Sequence, residues 1–114
     1  MKFAVQRDLL IRLLSRAQGI VDKKSTVAVL SHLLLETEGD AEIKLTCTDY
    51  DVSLIDRCSA RIERPGKLVI AGKTLFDILK VVPAVDVEIE KDAGERVQVR
   101  AGKFSYNLNG YNPD

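Results

Sequence analysis

Two stretches of this 114-residue chain carry one hydrophobic pattern at a constant offset of 65. Lys2, Phe3 and Val5 correspond to Lys67, Leu68 and Ile70, and Leu10, Leu13, Leu14 and Ala17 correspond to Leu75, Ile78, Leu79 and Val82. In each copy, period-two alternation, the mark of a strand with one buried face, switches to the i, i+3, i+4, i+7 spacing of an amphipathic helix. The first helix is expected from Arg7 to about Gly19, with Asp8, Arg12, Ser15 and Arg16 on its outer face. The second, about 73–82, is stopped by Pro83, which cannot continue a helix, and shows Lys73, Asp77 and Lys80 outward. Pro65-Gly66 separates the copies.

Strand patterns follow each helix. After the first, 27–35 is nearly all apolar, 42–47 alternates with Ile43, Leu45 and Cys47 on one side, and 52–62 follows a Thr48-Asp49-Tyr50-Asp51 turn. After the second come 85–90, 96–101 and 104–109. The organisation is β-α-β-β-β twice, with halves of about 1–64 and 65–110. Eight strands and two helices predict an α+β domain with antiparallel sheet on the outside and both helices on one face. Arg12, Arg16, Lys73 and Lys80 then share a helical surface. A chain of 114 residues with 46% hydrophobic composition supports one such domain, not two.

Charge and composition narrow the function. Seventeen basic and seventeen acidic side chains cancel, so a nucleic-acid surface must be local. Residues 1–24 carry Lys2, Arg7, Arg12, Arg16, Lys23 and Lys24 against Asp8 and Asp22, a balance of +4, whereas 36–51 hold six acids against Lys44. Folding these segments onto different faces would give two electrostatically opposite sides. Lys23-Lys24-Ser25-Thr26 forms a loop suited to phosphate contacts, which need charge but no base geometry. No side chain is placed for base readout, so contact would be weak, salt-dependent and sequence-blind. Aromatic residues make up only 5%, without tryptophan, which argues against a stacking platform for single strands.

Catalysis is poorly supplied. His32 is the single histidine and falls in the most apolar strand, where a structural role is expected. No nucleophile-base grouping, phosphate loop or metal-ligand spacing occurs, so no catalytic residue, metal or cofactor is expected. Asp49 and Asp51 read as turn residues. Asp56 is odd, because alternation puts it on the strand face of Leu54 and Cys58; a bulge or sheet rim would explain it. Cys47 and Cys58 read as reduced core thiols whose hairpin positions disfavour a disulfide. No apolar stretch is long enough to cross a membrane, and the amino terminus has no signal-peptide h-region, so a cytoplasmic protein is expected. Near the end of the chain, Phe104, Tyr106 and Leu108 share one face of a short strand near Lys103 and Arg96. Such an edge can pair with another chain, or pack on its own core.

Met1-Lys2-Phe3 with the leucine-rich helix, Thr48-Asp49, Pro65-Gly66-Lys67, the helix at 73–82 and the strand at 104–108 together resemble the amino-terminal domain of the bacterial sliding clamps, the beta subunit of DNA polymerase III. The resemblance implies the DNA-clamp fold and a processivity factor without catalytic activity. Three such domains would form a protomer, and two protomers joined head to tail would encircle duplex DNA and tether the polymerase. This chain would be the first domain, a fragment of a longer protein, with the polymerase and clamp-loader pocket in later domains. By resemblance Lys24, Lys73 and Lys80 face DNA, with Lys23, Arg12 and Arg16 beside them. Phe104, Tyr106 and Leu108 would lie at the protomer interface, and Arg96 and Lys103 would pair with acids of the neighbour. Thr74 stands where relatives can carry lysine, so one interfacial ion pair would be absent. The competing reading is a stand-alone interaction domain that dimerises or binds a partner through its 104–108 edge.

Overall fold

The structure, a computed structural model, describes residues 1–21, 32–48, 53–83 and 85–110. In chain order the elements are β1 Lys2–Gln6, α1 Arg7–Val21, β2 His32–Glu38, β3 Glu42–Thr48, β4 Ser53–Ser59, β5 Arg61–Arg64, β6 Lys67–Ala71, α2 Gly72–Val81, β7 Asp86–Lys91, β8 Arg96–Ala101 and β9 Phe104–Asn109. The strands form two antiparallel sheets, ordered β5-β1-β7-β8-β9 and β4-β3-β2-β6.

The repeated pattern becomes an exchange of strands. β1 pairs with β7 of the second half, and β6 pairs with β2 of the first. Phe3 faces Ile89 and Val5 faces Val87; in the other sheet Leu68 faces Leu35 and Ile70 faces Leu33. All eight side chains are buried in one core, and the two sequence halves are interlocked through it. Each fully buried aliphatic side chain contributes about 1.5–3 kcal/mol relative to exposure.

The stretch 52–62, expected as one strand, is two. β4 runs beside β3 until Ser59 meets Glu42, where β3 begins and the ladder ends. Ala60 and Ile62 donate their N–H groups to the carbonyls of Ala41 and Asp40, and β5 then joins the other sheet beside β1. Unpaired backbone groups drive this crossing: once β3 is exhausted, β1 supplies the next partners. The apolar run at 27–35 contributes its last residues to β2, which extends to Glu38, while 27–31 lie outside the described residues. α1 reaches Val21, two residues past the expected end.

Two glycines are fixed by close approach. A Cβ on Gly72, at the start of α2, would lie 2.7 Å from Leu33 Cδ1, and one on Gly66 would lie 2.9 Å from Met1 Cβ. The charged faces of the sheets are laced by ion pairs. Lys2 reaches Glu63 and Glu88 at 3.4 and 3.9 Å, Arg64 reaches Glu90 at 2.5 Å, and Arg100 contacts Glu88 and Glu90. In the other sheet Arg57 reaches Glu38 at 2.7 Å, and Lys44 approaches Glu36 and Glu38. The acidic strand segments are therefore interleaved with cations, and the sheet faces are mixed in sign instead of forming an acidic side.

Candidate nucleic-acid interface and edge strand

Both helices are amphipathic for the reason the sequence indicated, and they bury their stripes in a shared core. Leu10, Leu13, Leu14 and Ala17 of α1 and Leu75, Ile78 and Leu79 of α2, with Val82 just after it, belong to one buried cluster, and the helices touch each other. Arg7 at the start of α1 ties down the end of α2: its Nη1 donates to the Val82 carbonyl at 2.8 Å, and its backbone N–H to Val85. Two adjacent helices that bury their apolar sides in one core present their polar sides together. Arg12, Arg16, Lys73 and Lys80 are all exposed on those sides. Lys23 and Lys24 lie outside the described residues, as do Asp49 and Asp51.

The four exposed cations have different surroundings. Arg16 donates from Nε to Asp56 Oδ2 at 2.5 Å, a bond from α1 to the edge strand β4. Lys73 and Lys80 both approach Asp77 of their own helix, at 3.9 and 3.5 Å. The Lys80 ammonium also lies 4.8 Å from the centre of the Phe76 ring. These lysine pairs are exposed and individually weak, so phosphate can compete with them.

Of the two explanations for Asp56, the bulge is not found, whereas the sheet rim is, because β4 ends its sheet. It sits in regular register opposite Leu45, and its inward direction is what brings it to Arg16. Burial raises its carboxyl pKa, but bonds from Arg16 and the Arg57 N–H, with the Arg16 charge, hold it below the ordinary value on balance. Alternation had singled out Asp56; its partner, 40 residues earlier, carried no local signal. Nearby Cys58 is half-buried, and burial followed by the Asp56 charge pushes its thiol up to about 11. Cys58 lies opposite Ile43 and Cys47 opposite Leu54, so the hairpin keeps the two sulfurs apart and no disulfide joins them. His32 is the first residue of β2, opposite Ala71, and is exposed at that end of the strand.

β9 ends its sheet, so among the described residues one of its backbone edges has no strand beside it. Phe104, Tyr106 and Leu108 stand opposite Ala101, Val99 and Val97, which are buried. Tyr106 and Leu108 lean on the core, while Phe104 remains 45% exposed. The apolar face thus packs on its own domain, and no described strand occupies the outer backbone edge. Arg96 is at the register position opposite Asn109, and Lys103 is exposed in the β8–β9 turn. Thr74 is exposed on α2, not on this strand. No group of three or more metal-ligating side chains occurs among the described residues. No helix among them is long and apolar enough to cross a membrane.

With this geometry in view, the sequence matches, over residues 1–114, the family described as DNA polymerase III beta subunit, N-terminal domain. The chain belongs to that family. The beta sliding clamp of Caulobacter vibrioides is 32% identical over 110 residues, spanning 95% of this chain and 29% of that protein. The beta sliding clamp of Bacillus subtilis is 29% identical over 122 residues, spanning all of this chain and 32% of that protein. Among solved structures, Caulobacter crescentus pol III beta matches with a TM-score of 0.86 and 32% identity, over 99% of this chain and 30% of that one. The sliding clamp from Bacillus subtilis matches with a TM-score of 0.86 and 28% identity, over 98% and 31%. The chain therefore spans less than a third of the length of these relatives. The DNA-clamp fold is the one the resemblance implied, and the residue pattern by itself predicted its class, α+β with antiparallel sheet and two helices.

Proposed function

We propose that this chain is the first of three similar domains in a sliding-clamp protomer, and that two protomers close head to tail around duplex DNA. In this role the protein is a non-catalytic accessory of DNA replication in the cytoplasm, tethering the polymerase through later domains. The observation that carries the reading is the helical face: two adjacent helices, buried on one side, expose Arg12, Arg16, Lys73 and Lys80 on the other. Family membership supports the same reading. Lys23 and Lys24 extend this surface by sequence, and we assign them to it. The open edge of β9, with Phe104, Tyr106 and Leu108 behind it and Arg96 and Lys103 beside it, suits a strand from the neighbouring protomer. Thr74 supplies no charge to that junction.

Enclosure explains why so modest a surface suffices. Attraction between exposed charges fades within about 8 Å at physiological ionic strength, so four to six cations hold phosphate weakly. A closed ring keeps the duplex by topology, and weak sequence-blind contacts then centre it while leaving it free to slide.

The test is Lys24→Glu combined with Lys80→Glu in the full-length protein. Retention on circular duplex should fall and its salt dependence should flatten, with the circular dichroism spectrum unchanged. Unchanged salt-dependent retention would remove the helical face from the DNA side.

A further inference from the structure

Asp77 is an acid on the face that the proposed function turns toward phosphate. It lies between the two lysines of α2, 3.9 Å from Lys73 and 3.5 Å from Lys80, and about half of its side chain is exposed. We propose that Asp77 is a built-in counterion that limits how tightly α2 grips the duplex, so that Lys73 and Lys80 exchange between an internal carboxylate and backbone phosphate. The inference rests on the reading of the helical face as duplex-facing.

Helix stability accounts for only part of an aspartate here, because the exposed Asp77–Lys80 pair at i, i+3 is weakly favourable. Aspartate is a poor residue for a helix interior, because its short side chain competes for backbone groups. It gains from the helix dipole only in the first turn, and α2 has no acid there. The order Lys73 then Asp77 at i, i+4 is the less favourable orientation of such a pair. Lys80, in the last turn, already complements the dipole without an acid. Its ammonium is steadied over the Phe76 ring, which holds the charge near Asp77 and beside the exposed face. Asp77 is thus placed where its chief electrostatic effect falls on the two lysines.

Arg16 and Asp56 form a different kind of pair. That bond is short and joins two layers of the fold, whereas the contacts of Asp77 are long, exposed and confined to one helix. Long exposed pairs exchange readily with a competing anion. A phosphate arriving at Lys73 or Lys80 must displace the carboxylate and also meets its repulsion, so each contact gains less than an unpaired lysine would give. For a protein that must travel along DNA, that lowers the drag per contact.

The experiment measures duplex binding by the full-length protein, using fluorescence anisotropy of a labelled linear duplex across a salt series. Asp77→Asn should tighten binding by about two- to fivefold at low salt and steepen the salt dependence, because the lysines then release counterions more fully. Asp40→Asn, which removes the same charge from the exposed β2–β3 turn, should change binding by less than about 1.5-fold. In a Lys73→Gln, Lys80→Gln background the gain from Asp77→Asn should vanish. If Asp77→Asn and Asp40→Asn behave alike while the double lysine variant weakens binding, the counterion role is overturned and the duplex-facing surface stands. If the double lysine variant binds as well as the parent, the duplex-facing reading of α2 falls, and this inference with it.

Discussion

Leu14 of α1 and Leu79 of α2 are related by the offset of 65, and both are buried in the same core. On the opposite sides of the helices the equivalence ends. Arg16 of α1 is bonded across the fold to Asp56 of β4, while Lys73 and Lys80 of α2 pair, among the described residues, with Asp77 of their own helix. The buried halves are constrained alike, because a shared core demands matching shape on each side of it. The exposed halves are not, and one helix spends an arginine on holding sheet to helix while the other keeps its lysines exchangeable. A cationic face read from helical periodicity alone thus contains charges of two physical kinds.

The comparison is tested most severely in the core. Leu14→Ala and Leu79→Ala should each destabilise the protein by about 2–5 kcal/mol through lost burial and the cavity left behind. Denaturant unfolding should place the two losses close together; a large disparity would mean that the helices are not equivalent in the core.

Asp56→Asn should cost about 1 kcal/mol, since the pair is only partly buried and Arg16 is half exposed. Its pH dependence has a definite sign. The folded carboxyl titrates below its ordinary value of 3.8, so the stabilisation is complete above that value and is lost as pH falls through the folded pKa. Parent and Asp56→Asn stabilities measured down to acid pH should therefore converge. A constant gap would show that Asp56 acts by packing and not by charge.

The smallest effect is expected on α2. Lys73→Gln should alter stability by no more than about 0.5 kcal/mol, because it removes one exposed pair with no buried partner. A loss as large as that of Asp56→Asn would erase the distinction between the helices.

Much of the fold was legible because it is written in short-range periodicity. β8 and β9 have the boundaries their alternation implied, and α2 is displaced by a single residue. The division of 52–62 was not legible, since nothing in Ser59, Ala60 or Arg61 announces that β3 has run out of partners. The candidate site was half visible. Periodicity put Arg12, Arg16, Lys73 and Lys80 on outer helix faces, and alternation marked Asp56 as anomalous without indicating Arg16 as its partner. The apolar side of β9 could be assigned to its own core or to another chain, and only the register decided that Tyr106 and Leu108 lean on Val99 and Val97.

By itself the sequence determined that a strand and an amphipathic helix occur twice, because side-chain period and turn chemistry act between neighbours a few residues apart. It also determined that the basic residues would lie on the outer faces of the helices. The tertiary structure alone decided that β1 and β6 exchange partners between the halves, that the chain crosses between sheets at Ala60, and that Arg16 is held by Asp56. Those outcomes depend on which backbone edges remain unpaired and which side chains meet across dozens of residues, and these contacts exist only once the two sheets have closed over a common core.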